Sequence, residues 1–215
     1  MTLAYTTQDK EAETLARIHV VGDTVRSAQG LVASRFYRGR GTTPCYVVLT
    51  TWEDEETWKR AQERYNPKQL LLGSAAELLA ASPEQWQLSY LWGYSRPAAS
   101  PIIAAIHLAI VRPEQADLVQ RGWVEGLRRQ VVQPTLAFAF LSRGINDDES
   151  TPTPPLLNTS KVNISVIEQG STFLNLLSWS SEEERERFYS DLDYQAVNRF
   201  VTSMGVVEIL PLEPI

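Results

Sequence analysis

The sequence predicts an α+β fold built from two βαββαβ units in tandem. Three observations carry this reading. The chain divides into halves with the same order of elements. The halves align segment by segment, with one insertion. Several strands are apolar on both faces, so both faces of a sheet need a cover. The 215 residues, 43% hydrophobic and 21% charged, suit one large domain or two small ones. The same composition excludes a disordered chain, a collagen-like repeat and a simple coiled coil.

In the first half, residues 2–6 read as a short strand. A helix follows from about Asp9 to Ala28, with Ala12, Leu15, Ile18, Gly22 and Val25 spaced for one face. Gln29-Gly30 ends it. Residues 31–37 and 46–52 are strand-like and flank a Gly/Arg/Thr/Pro turn. Residues 54–65 are helical, Pro67 interrupts, and a second helical stretch covers 68–80. Residues 86–94 close the unit. The order is the ferredoxin-like βαββαβ arrangement.

The second half repeats it. Residues 102–111 form a strand, and Pro113 opens a helix that runs to about Gln130. Residues 135–142 are the next strand. Residues 162–168 and 172–179 suit a hairpin around Gln169-Gly170-Ser171, which gives this half one strand more than the first. Ser181 with Glu184 starts a helix reaching about Ser203. Gly205 ends it, and residues 206–210 close the sheet.

The alignment of the halves is direct. Residues 11–17 (EAETLAR) lie over 115–121 (QADLVQR), 30–33 (GLVA) over 134–137 (PTLA), and Phe36 over Phe140. After a shift in offset, residues 49–56 (LTTWEDEE) lie over 176–183 (LLSWSSEE), and Arg60 over Arg187. The shift falls at the Asp/Ser/Thr/Pro-rich loop near 144–160, which is either functional or a tolerated insertion. Arg96-Pro97-Ala98-Ala99-Ser100-Pro101 reads as a stiff linker. The expected domains are therefore 1–97 and 101–215.

Residues 102–110 (IIAAIHLAI) and 136–141 (LAFAFL) are apolar on both faces, apart from His107. An exposed sheet face alternates with polar residues, so a second cover is needed. Two four-stranded sheets packed together with helices outside would supply it. That is a pseudo-dimer of the dimeric α/β-barrel type within one chain. The alternative is two separate ferredoxin-like domains that dimerise with other chains. A monomeric pseudo-dimer and a homodimer both remain open.

Lys+Arg is 20 and Asp+Glu is 26, a net charge of -6, so no nucleic-acid partner is expected. No run of about 18 apolar residues predicts a membrane span, and the opening MTLAYTTQDKEAET lacks a secretory pattern. A cytoplasmic location is the expectation. A single cysteine, Cys45, excludes an intramolecular disulfide and a cysteine-based zinc site.

Two runs carry a family likeness. The first is Gly30-Leu31-Val32-Ala33-Ser34-Arg35-Phe36 followed by residues 46–56, YVVLTTWEDEE. The second is Asn175-Leu176-Leu177-Ser178-Trp179 followed by Ser180-Ser181-Glu182-Glu183. The first run resembles the antibiotic biosynthesis monooxygenase (ABM) domain, with its Gly-led second strand and its third strand ending in Trp before an acidic helix start. The second is similar to the Asn-x-x-x-Trp of the cofactor-independent quinol-forming enzymes of that family. The resemblance implies an oxidoreductase that uses no metal or flavin: a substrate phenolate passes an electron to dioxygen while the pocket stabilises the anion. A small aromatic or apolar ligand is then the expected partner.

The spacing itself puts Phe173, Asn175, Leu177 and Trp179 on one strand face. On the resemblance, Asn175 and Trp179 are catalytic, and Phe173 and Leu177 bind substrate. The bland alternative has Asn175 satisfying a local group and Trp179 filling core. His107 is a candidate acid/base because imidazole titrates near neutrality, or else a hydrogen-bonded core residue. In the first half, Val48 stands where Asn175 stands in the second. There Trp52 and Trp58 are candidate pocket walls. Arg35, with Arg38 and Arg40, could meet an anionic substrate or form a solvated edge. No His lies between Trp52 and Tyr94 or after Trp179, which argues against the heme-degrading and chlorite-dismutase-like branches. The alternative function is a small-molecule-binding or structural barrel that has lost its site.

Overall fold

The computed structural model describes residues 1–41, 44–132, 135–145 and 170–215. They form two compact units: Met1–Trp86 with Pro214–Ile215, and Gln87–Glu213. Both are α+β with antiparallel strands. Among the described residues, no helix is long and apolar enough to cross a membrane.

The first unit contains β1 (Thr2–Tyr5), α1 (Glu11–Arg26), β2 (Leu31–Gly39), β3 (Cys45–Trp52), α2 (Glu55–Tyr65), α3 (Pro67–Ala75) and β4 (Glu84–Gln85). Its strands lie in the order β4-β1-β3-β2. The buried side of α1 is Thr14, Ile18, Val21, Gly22 and Val25; Ile18, Gly22 and Val25 are as expected, while Ala12 is exposed and Leu15 half-buried. Gly30 takes φ +80, a backbone region that disfavours side chains, and turns the chain from α1 into β2. Asp54 caps α2: its carboxylate accepts from the Thr57 backbone N–H at 2.7 Å. Ala4, Phe36, Tyr46 and Val48 face α1 and form the unit's core with Ile18, Val21, Val25 and Leu71.

The second unit contains β5 (Leu88–Ser95), β6 (Ile103–Val111), α4 (Ala116–Gln130), β7 (Phe138–Gly144), β8 (Ser171–Trp179), α5 (Glu182–Ser190), α6 (Leu192–Met204) and β9 (Gly205–Pro214). The strand order is β9-β6-β8-β7-β5. The predicted closing strand of the first half, 86–94, is β5, and it belongs to the second unit. Glu84–Gln85 stays with β1, and Leu88–Ser95 pairs with β7, from Leu88↔Gly144 to Ser95↔Phe138. The predicted helix from Ser181 to Ser203 is also two helices. Asp191 takes extended dihedrals, and its carboxylate accepts from the Tyr194 backbone N–H, starting α6. All nine residues of β6 and all nine of β8 are buried, so both faces of each strand are covered, as their apolar runs require. The expected strand at 162–168 and most of the 144–160 loop lie outside the described residues.

Candidate functional site

The site grows from the pairing of β6 with β8. His107 lies opposite Asn175, Ala105 opposite Leu177, Ala109 opposite Phe173, and Ile103 opposite Trp179. Opposed residues of an antiparallel pair share a face, with Cβ atoms about 4.5–5.5 Å apart. On the other flank, Leu141 of β7 lies opposite Asn175. This face is packed by α4, α5 and α6 through Trp123, Leu127, Phe188, Tyr194 and Val201. Five of the sequence-chosen residues, His107, Phe173, Asn175, Leu177 and Trp179, therefore meet on one buried surface. All five are 0% exposed.

His107 is fully engaged. Its Nε2 is 2.8 Å from the Tyr189 hydroxyl, and its Nδ1 is 3.0 Å from the Tyr194 hydroxyl. Either tautomer satisfies both contacts: one ring nitrogen donates and the other accepts. Burial lowers the imidazole pKa to about 4, so the ring is neutral near pH 7. Burial raises both tyrosine hydroxyls, with Arg185 opposing the shift at Tyr189. The Tyr-His-Tyr chain is therefore uncharged at neutral pH. The Tyr189 ring also stacks on His107, 5.8 Å away at 7°, and lies 5.5 Å from Trp179 at a tilt of 43°.

Asn175 is the opposite case. Among the described residues, neither Oδ1 nor Nδ2 has a hydrogen-bond partner, and the Trp179 Nε1 has none either. The cause is visible in the packing. The neighbours of Asn175 along and across the strands are Phe173, Leu177, Leu141 and His107, and both His107 nitrogens are occupied by tyrosines. A buried polar group without a partner costs roughly 1–3 kcal/mol, a cost that an ordered water or a bound guest would relieve.

The remaining sequence-chosen residues belong to the first unit. Trp52 ends β3 and donates its indole N–H to Thr50 Oγ1 at 3.1 Å. Trp58 is on α2 and half-buried. Val48, the counterpart of Asn175, is 1% exposed and packs in the core. Arg35 pairs in register with Leu49, whereas Phe36 pairs with Val48. Strand alternation thus puts Arg35 on the opposite sheet face from Val48 and Trp52, and it shares no wall with Trp52. Arg38 is ion-paired with Glu11. Cys45 is buried, and burial raises its thiol to about 11, which leaves it protonated.

Tyr189 and Tyr194 were not singled out by the sequence reading. The available signal was aromatic residues, Phe188, Tyr189 and Tyr194, inside a stretch of dense charge soon after Trp179. The helix break at Asp191 obscured it, because a continuous helix would not aim Tyr189 and Tyr194 at one point.

Comparison with solved structures finds likenesses along nearly the whole chain. One is a Fusobacterium nucleatum protein with a provisional monooxygenase assignment, at 9% identity and a TM-score of 0.71, covering 99% of this chain and 89% of that one. Another is described as an anthrone oxidase-like protein, at 12% identity and TM-score 0.69, covering 100% and 89%. A third, from Lactobacillus acidophilus and also provisionally a monooxygenase, has 7% identity and TM-score 0.66, covering 99% and 92%. No family model matches the sequence, and the search of curated proteins finds no relative. At these identities the likeness is one of fold alone: the chain shares the α+β fold of these proteins.

Proposed function

We propose that the chain is a cofactor-independent monooxygenase of the ABM type, acting on a small phenol- or quinol-like aromatic at the Asn175 face of the second unit. The observation that carries this is Asn175, completely buried on the same strand face as Trp179, with an amide that has no partner among the described residues. The monooxygenase-like fold supports it, and so does the description of one structural neighbour as anthrone oxidase-like. On this reading the pairing of the halves is a pseudo-dimer in which the first half, with Val48 in place of Asn175, no longer carries a site.

The chemistry balances without a redox group on the protein. A phenol hydroxyl loses its proton and a ring carbon loses its hydrogen. One atom of dioxygen enters as the second quinone oxygen, and the other leaves as water. The anionic character that develops on the substrate oxygen is met by the Asn175 Nδ2–H donors. In a dry site such a preorganised dipole is worth more than in water. Trp179 offers a flat wall to the ring. His107 stays neutral and holds hydroxyls in place.

The second reading is a barrel without catalysis. It is favoured by the complete burial of Asn175, Trp179, Phe173 and Leu177. Oxygen uptake with a panel of quinols and anthrone-like phenols separates the two. Turnover that Asn175→Ala abolishes supports the enzyme. Tight binding of an aromatic with no oxygen consumed supports the binder.

A further inference from the structure

The surface around α5 and β9 carries a cavity of about 360 Å³ lined by Arg185, Glu186, Tyr189, Ser190, Ile209 and Pro211. Tyr189 lines it, and the same ring lies against His107 and Trp179. The register places Asn175 directly opposite His107 on the next strand. The Tyr189 phenol therefore links the cavity to His107, the cross-strand neighbour of the Asn175 amide.

We infer that Tyr189 is an internal stand-in for the ligand: its phenol occupies the seat of a neutral hydroxyaromatic molecule, which enters from the cavity, displaces the Tyr189 side chain and takes over its hydrogen bond to His107 Nε2. The inference rests on the function proposed above and names the ligand class and route for that site.

Four features point the same way. The Tyr189 hydroxyl sits 2.8 Å from His107 Nε2, so the seat is already shaped for a phenol. The ring is nearly parallel to the imidazole, at 7°, and also contacts Trp179, so the seat is lined for a flat ring. Tyr189 is only half-buried and belongs to the last turn of α5, where the helix ends at Asp191. The cation at the cavity, Arg185, is paired with Glu182 at 2.7 Å, so the approach favours a neutral hydroxyaromatic over an anion.

The test uses the full chain labelled with 3-fluorotyrosine and titrated with 1-naphthol, followed by fluorine NMR. The resonance missing from Tyr189→Phe identifies Tyr189. In the wild-type protein that resonance is expected to shift and saturate. Tyr189→Phe is expected to bind 1-naphthol about fivefold more tightly, because one hydrogen bond fewer has to be broken. Where a substrate turns over, KM falls by a similar factor and kcat stays level, a split that a merely structural tyrosine does not give. An unmoved Tyr189 resonance, no binding, or equal or weaker binding by Tyr189→Phe overturns the inference. Displacement of Tyr189 without oxygen uptake leaves the phenol seat standing and removes the enzymatic reading. Oxygen uptake with Tyr189 unmoved does the reverse.

Discussion

Asn175 brings two polar atoms into a face where both neighbouring His107 nitrogens are already taken. Asn175→Leu, which keeps the volume and removes the polar atoms, is expected to raise stability by about 1–2 kcal/mol in urea denaturation. A loss of stability would mean that the amide has a structural partner after all. His107 has a second consequence, in pH. Its folded pKa of about 4 lies below the ordinary 6.5, so the unfolded chain binds the proton more readily in between. The contribution of the neutral ring is present above pH 6.5 and is lost as pH falls toward 4. The expected loss is on the order of 3 kcal/mol. Urea titrations across that window measure it, and a His107→Phe chain should show a flatter profile.

Asp191 belongs to the scale of elements. Its carboxylate accepts from the Tyr194 backbone N–H at 2.9 Å and from the Gln130 side chain of α4. It caps α6 and so fixes the residue that holds His107 Nδ1. Asp191→Ala is expected to cost about 1–2 kcal/mol, read as a lower urea midpoint. Most elements were legible from periodicity and from Gly and Pro positions, because burial on one face dictates those patterns. The Asn175–Trp179 pair was legible as well, since alternation alone puts both on one face. The Asp191 break was not, because Ser181 and Glu184 signal a start and nothing before Gly205 signals a stop except a capping aspartate within a charged run. Thr14 on the buried face of α1 was not legible for a similar reason. Thr14 is buried and hydroxyl-bonded to Thr6 at 2.7 Å, and a hydrophobic count does not see such a pair.

For the whole molecule, the destination of β5 matters most. The Pro-rich segment suggested a cut at 97, yet Leu88–Ser95 completes the sheet of the second unit, and Ile215 returns to the first, its backbone N–H donating to the Phe36 carbonyl at 3.1 Å. Strand pairing across such sequence distances leaves no local signal. Expressed alone, residues 101–215 are expected to expose the edge of β7 and to aggregate, whereas co-expression with 1–97 should restore a soluble species. Size-exclusion chromatography distinguishes these outcomes, and a soluble, monomeric 101–215 fragment would contradict the assignment. The central claim, that the Asn175 face performs oxygenation, meets its most direct test in an oxygen electrode. With a phenol or quinol that the wild-type chain oxidises, Asn175→Leu should remain folded, match or exceed wild-type stability, and lose about 100-fold or more in turnover. Turnover unchanged in Asn175→Leu, or no oxygen uptake by the wild-type chain with any quinol or anthrone-like phenol, would contradict it.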